Sequence, residues 1–172
     1  MGRETSPVAS QSSPRILIAC IGNIFLGDDG FGVEVARRLS ERSLPAGVTV
    51  KDFGIRGFDL TYALLDPYDL VVLVDACPRG DAPGTVYLIE PDRAEPDSGE
   101  AALEMHGLNP MNALRLVRSM GGEASRIVVV GCEPEELGGH DGKLGLSAPV
   151  QAAVGEAVRL IEGLIAKAAC GQ

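Results

Sequence analysis

The amino-acid sequence predicts an α/β fold of three layers: a twisted, mostly parallel sheet of about five strands with helices on both faces. Three observations carry this expectation. The runs Ile16-Leu17-Ile18-Ala19-Cys20-Ile21 and Leu70-Val71-Val72-Leu73-Val74 are continuously apolar, the pattern of strands covered on both faces. Stretches with apolar residues at helical spacing alternate with these runs and with further strand-like runs, as βα units do. The chain has 172 residues, 45% hydrophobic and 23% charged, enough for one domain to close a core without disulfides or metal.

Each element follows in order. Residues 1–14 are polar and Ser-rich, lack the apolar stretch of a signal peptide, and are expected to form a disordered tail. Gly2 and Ser6 match the spacing of a myristoylation pattern, but no polybasic stretch reinforces so short a match. Residues 15–172 are expected to form a single α/β domain. The first strand, 16–21, is bounded by Gly22. A helix from about Gly30 to Arg42 puts Phe31, Val35, Ala36 and Leu39 on one face. Val48 to Phe53 alternates as a strand, and Phe58 to Leu65 reads as a short helix stopped before Pro67. Leu70 to Val74 is the most strand-like run and delivers Asp75 at its end.

Pro83-Gly84 makes a turn into the strand Thr85 to Ile89. A polar, acidic loop occupies 91–107, and a helix runs from about Pro110 to Met120, with the proline in its first turn. Ile127 to Val130 is the last strand. Ser147 is placed to cap a long helix reaching about Ala168, which buries Val150, Val154, Val158, Ile161 and Ile165.

Composition excludes several partners. Twenty-four acidic against fifteen basic residues give a net charge of −9, the opposite of the basic footprint that nucleic acid or an anionic membrane surface selects. No segment has the ~18 consecutive apolar residues of a membrane-spanning helix. Cys20, Cys77, Cys132 and Cys170 show no CxxC spacing, so a reducing, cytoplasmic setting is expected.

Ligands of open α/β sheets bind beyond the carboxyl ends of the strands, near the point where strand order reverses. That rule selects Gly22 to Gly32, Asp75 to Cys77, and Gly131 to Glu136. The first segment lacks GxGxxG. Gly22 and Gly27 have P-loop spacing, but Asp28-Asp29 stands where Lys-Ser/Thr would meet phosphate. One Asp is enough to cap the following helix. That duty is assigned to Asp28, which leaves Asp29 with no structural one. Asp75 is either a turn former, with Pro78 and Gly80 nearby, or the partner of Asp29 in one cleft. Two carboxylates are hard oxygen ligands, and an imidazole would extend the set to transition metals. His106 lies in Glu104-Met105-His106-Gly107-Leu108, and His140 lies among glycines at 138–142. On spacing alone each reads as a loop or solvent histidine rather than a ligand. The HExxH helix of zinc proteases is absent.

Gly22-Asn23 through Gly30-Phe31-Gly32, Val74-Asp75-Ala76, Pro83-Gly84-Thr85 and His106-Gly107-Leu108 together resemble the nickel–iron hydrogenase maturation proteases. Gly131-Cys132-Glu133-Pro134 and Gly145-Leu146-Ser147 extend the likeness over about residues 15–165. The resemblance implies an endopeptidase that removes the C-terminal extension of the hydrogenase large-subunit precursor after nickel insertion. It places the metal contacts on Asp29, Asp75 and His106, with Asp29 and Asp75 as the catalytic pair. Nickel would arrive with the precursor, so no permanently bound metal is required.

Two departures from the family pattern stand out: Asp29 where Glu is frequent, and Gly54-Ile55-Arg56-Gly57 where Gly-Thr-x-Gly is common. His140 falls on no family motif, and Cys77 is read as an inert thiol. The protein is expected to act as a monomer. A metal-assisted reaction and one with an Asp as general base both remain open. The competing functions are a non-enzymatic nickel-binding or assembly-checkpoint protein on the same scaffold and a flavodoxin-like small-molecule binder. The acid pair weakens the last.

Overall fold

A computed structural model describes residues 13–90, 126–138 and 142–171. The expected acidic loop at 91–107, the expected helix at 110–120, both histidines and nearly all of the expected tail lie outside these residues. The described elements are β1 (Ile16–Ile21), a 3-10 turn (Asp28–Gly30), α1 (Phe31–Ser40), β2 (Val48–Gly54), α2 (Gly57–Ala63), β3 (Leu70–Ala76), β4 (Val86–Ile89), β5 (Arg126–Cys132) and α3 (Ala148–Ala169).

The five strands form one sheet in the order β2-β1-β3-β5-β4. Pairing is parallel except for β4, which runs antiparallel to β5 at an edge. The continuous apolar runs occupy the interior positions, as expected. Side chains alternate across β1: Ile16, Ile18 and Cys20 enter the core under α1 and α3. Leu17, Ala19 and Ile21 enter the core on the opposite face, with Leu60 and Leu64 of the α2 region. Helices thus cover both faces because the central strands have no face that tolerates water.

Two boundaries matter for the site. β3 and β5 run longer than the apolar runs, because the ladder pairs Asp75 with Gly131 and Ala76 with Cys132. Asp75 is therefore a strand residue and not a turn former. Ser147 does stand at the N-terminal boundary of α3 in extended conformation, but its hydroxyl makes no capping bond, and it is buried with no partner among the described residues. All four cysteines are free. Among the described residues no helix is long and apolar enough to cross a membrane.

Candidate functional site

Beyond the carboxyl ends of β1 and β3 the chain makes a tight descent from Gly22 into α1. Gly22 has φ 142°, and a Cβ there would overlap the carbonyl oxygen of Asp29. At Gly32 a Cβ would overlap the carbonyl oxygens of Ile21 and Val74. These two close approaches let α1 begin directly against the ends of both central strands.

The turn is stitched to the segment that follows β5. Gly27 N–H donates to the Lys143 carbonyl at 2.7 Å, Gly138 N–H to Leu26 at 3.0 Å, and Lys143 N–H to Phe25 at 2.8 Å. Asp28 is the anchor of this arrangement. It is 1% exposed, and its carboxylate accepts the N–H groups of Ser147 at 2.6 Å, Glu135 at 2.9 Å and Glu136 at 3.1 Å. It makes no capping bond to its own helical turn. The expected capping role is thus corrected: Asp28 ties two distant segments to the site loop. Burial pushes its carboxyl upward, but the donors, Ser147 first, outweigh that and hold it below the ordinary Asp range.

Asp29 is half-buried and accepts the Asn23 N–H through Oδ2 at 2.7 Å. The expectation that it has no structural duty is corrected, since this bond closes the loop that carries it. Asn23 in turn accepts the Phe25 N–H at 3.0 Å. Burial raises the Asp29 carboxyl against the opposing effect of Asn23 N–H. Asp75 is 8% exposed and receives the Ala76 N–H at 2.9 Å. Burial, and then the charge of Asp29, push its carboxyl up to about 7, against the effect of Ala76 N–H. The structure therefore brings Asp29 and Asp75 within electrostatic reach of each other. A buried carboxyl with affinity for a proton near neutral pH can hold or take a proton at working pH, and like-charged neighbours attract a cation.

Cys77 is half-buried, and burial, then Asp75, push its thiol up to about 11. A thiol held protonated is a poor nucleophile and a poor metal ligand. Among the described residues no group of three His, Cys, Asp or Glu side chains is arranged to hold a metal, so the carboxylate pair needs a further ligand to complete a site.

A cavity of about 580 Å³ runs along α1, past Val33, Arg37, Val50 and Leu146. It touches the site turn at Ile24, Gly27 and Gly30, and includes neither carboxylate. Exposed apolar side chains follow the strand ends: Ile24 and Phe25 in the loop after β1, Ile55 in the loop after β2 and Phe58 in the first turn of α2, and Leu137 and Leu144 after β5. Such a rim suits a macromolecular partner. Ile55 presents its side chain to solvent in the loop where a hydroxyl is common in the resembled family. Glu133 lies in the segment Gly131 to Glu136 that the strand-end rule selects, but the sequence assigns it no role; the structure shows it as a buried acid directly after β5.

Residues 33–164 match the family model described as hydrogenase maturation protease. A putative hydrogenase maturation protease of Methanocaldococcus jannaschii is 35% identical over 153 residues, covering 88% of this chain and 97% of that protein. The hydrogenase expression/formation protein HupD of Rhodobacter capsulatus is 31% identical over 148 residues, covering 84% and 70%. Among solved structures, the hydrogenase maturating endopeptidase HybD of E. coli superposes with a TM-score of 0.73 at 28% identity, covering 89% of this chain and 93% of that one.

Proposed function

This chain belongs to the hydrogenase maturation protease family, and from that membership we propose that it removes the C-terminal extension of a nickel–iron hydrogenase large-subunit precursor, with Asp29 and Asp75 at the point of cleavage. The observation that carries the assignment to these residues is their coupling: Asp29 in the turn after β1 and Asp75 near the end of the adjacent strand β3, with Asp75 raised to about 7 by burial and by Asp29. The apolar side chains exposed around the strand ends suit a folded protein as substrate. Four free cysteines suit a cytoplasmic setting.

The donor chemistry fits a divalent transition metal. Repulsion within the carboxylate pair is relieved by a cation between them, and the imidazole of His106 would complete a mixed oxygen and nitrogen set. We assign nickel to the substrate: it enters with the precursor, and the protease needs none of its own. A divalent ion held there supplies polarisation of the scissile carbonyl. The chain's own residues do the rest. Asp29, oriented by the Asn23 N–H, fixes one side of the site. Asp75, beside it at the end of β3, is the group placed to take a proton from the attacking water as general base.

Precursor loaded with nickel, incubated with wild type, Asp29→Asn and Asp75→Asn, tests this reading. Both variants should remain folded by circular dichroism and lose at least about 100-fold in cleavage rate. Wild-type rates from both would remove the two carboxylates from the mechanism. A wild type that binds the precursor without cutting it would favour the checkpoint function.

A further inference from the structure

We infer that Glu133 is a positioning residue for the reaction: its carboxylate, fixed at the end of β5, holds the chain that leaves Asp75 and so sets the geometry of the acid pair. This rests on the assignment of Asp75 made above.

The need arises from backbone accounting. β3 ends at Ala76, and the Cys77 N–H extends its pairing by one bond, to the Cys132 carbonyl at 2.8 Å. Pro78 has no N–H to offer. The next two donors, Arg79 N–H and Gly80 N–H, have no strand beside them. They donate to Glu133, at Oε2 (2.8 Å) and Oε1 (3.1 Å). Glu133 is only 5% exposed, so its charge is tolerated only because donors surround it. The Tyr87 hydroxyl supplies another, 2.6 Å from Oε2 and also 2.9 Å from Asp81 Oδ2. The Arg79 guanidinium lies over the Tyr87 ring, 5.3 Å from its centroid.

The anchor itself does not move freely. Glu133 N–H donates to the Thr85 carbonyl and Gly84 N–H to the Glu133 carbonyl, both at 2.8 Å. One carboxylate therefore binds the loop after β3 to β4 and β5. Cut that link and the N–H groups of Arg79 and Gly80 lose their acceptor, so the loop that leaves the ladder after Cys77, two residues past Asp75, comes loose. Reacting groups displaced by about 1 Å can lose about 100-fold in rate.

Three variants test the inference: Glu133→Ala, Glu133→Gln and Tyr87→Phe. With nickel-loaded precursor, Glu133→Ala should lower kcat about 100-fold and change KM less than about threefold. Glu133→Gln keeps one acceptor oxygen for two backbone donors, so its kcat should lie about tenfold below wild type and one of the Arg79 and Gly80 amides should lose protection, and Tyr87→Phe should show a kcat loss in the same range. Amide hydrogen exchange reads the loop directly. In Glu133→Ala the Arg79 and Gly80 amides should lose protection while Val72 and Leu73 keep theirs. A purely stabilising role would lower Tm and leave the kcat of folded molecules unchanged.

Wild-type kcat in folded Glu133→Ala, or unchanged exchange at Arg79 and Gly80, overturns the inference. If Glu133→Ala does not fold, Glu133→Gln decides by the same two readouts, and wild-type values of both overturn it. A wild type that leaves loaded precursor uncut would overturn the proposed function instead, and the exchange data would still show whether Glu133 holds the loop.

Discussion

Replacing Asp75 with Asn should stabilise the protein at neutral and alkaline pH, at the expense of activity. In the folded chain burial and the Asp29 charge raise the Asp75 carboxyl from 3.8 to about 7. In the unfolded chain it titrates at its ordinary value. Between these two values the folded state binds the extra proton, so wild-type stability falls as pH rises through this window and levels off above about 7. At about 1.36 kcal/mol per pH unit, the full cost is on the order of 4 kcal/mol. Asn is neutral and nearly the same shape, and its Oδ1 can still accept the Ala76 N–H, so the variant escapes this cost.

The variant should gain less than about 1 kcal/mol over wild type at pH 4 and about 4 kcal/mol at pH 8. For a chain of this size that corresponds to a Tm rise of roughly 8–16 °C at pH 8. Urea and thermal unfolding of substrate-free protein, followed by circular dichroism across this range, provide the assay. Asp29→Asn should show a smaller gain, since it removes only the second cause. If wild type and Asp75→Asn give parallel stability curves from pH 4 to 8, the two carboxylates are not coupled and the site has been misread.

Three further outcomes follow from the same geometry. Asp28→Ala strands three backbone donors, so it should cost about 3 kcal/mol or more in urea unfolding at pH 7. Because the Asp28 carboxyl is held low, the wild-type advantage is present above the ordinary Asp value and disappears as pH falls through the folded one. Phe58→Ala, at a side chain 76% exposed, should change stability by no more than about 0.5 kcal/mol. It should raise KM for the precursor about tenfold, and an unchanged KM would remove α2 from the docking face. His106→Ala should abolish precursor cleavage while His140→Ala leaves it near wild type; the reverse pattern would transfer the ligand assignment to His140.

Sequence patterning reached the fold through its most constrained parts. β1 and β3 are covered on both faces, so neither can carry a polar residue until its carboxyl end, and both runs are legible. Once those strands are taken as neighbours, the meeting of Asp29 and Asp75 follows from the rule for ligands of open sheets. What escaped depends on contacts distant in the chain. The Asp28 donors lie 107, 108 and 119 residues away, and local capping statistics gave it the wrong task. Glu133 takes its donors from 46 to 54 residues upstream. The bond from Asn23 to Asp29 spans only six residues, but its acceptor could not be singled out between two adjacent acids. Ser147 stands at the start of α3 as expected, but the group it engages is its N–H, which donates to Asp28, while its hydroxyl makes no capping bond.

The most direct test of the account compares cleavage of two preparations of the same hydrogenase large-subunit precursor, one carrying nickel and one made without it. Purified wild-type protein, with no metal added, is incubated with each, and the products are weighed by intact mass spectrometry. A single cut should remove the C-terminal extension from the nickel-loaded form and leave the nickel-free form whole. Equal trimming of both forms, or none of the loaded one, would contradict the account.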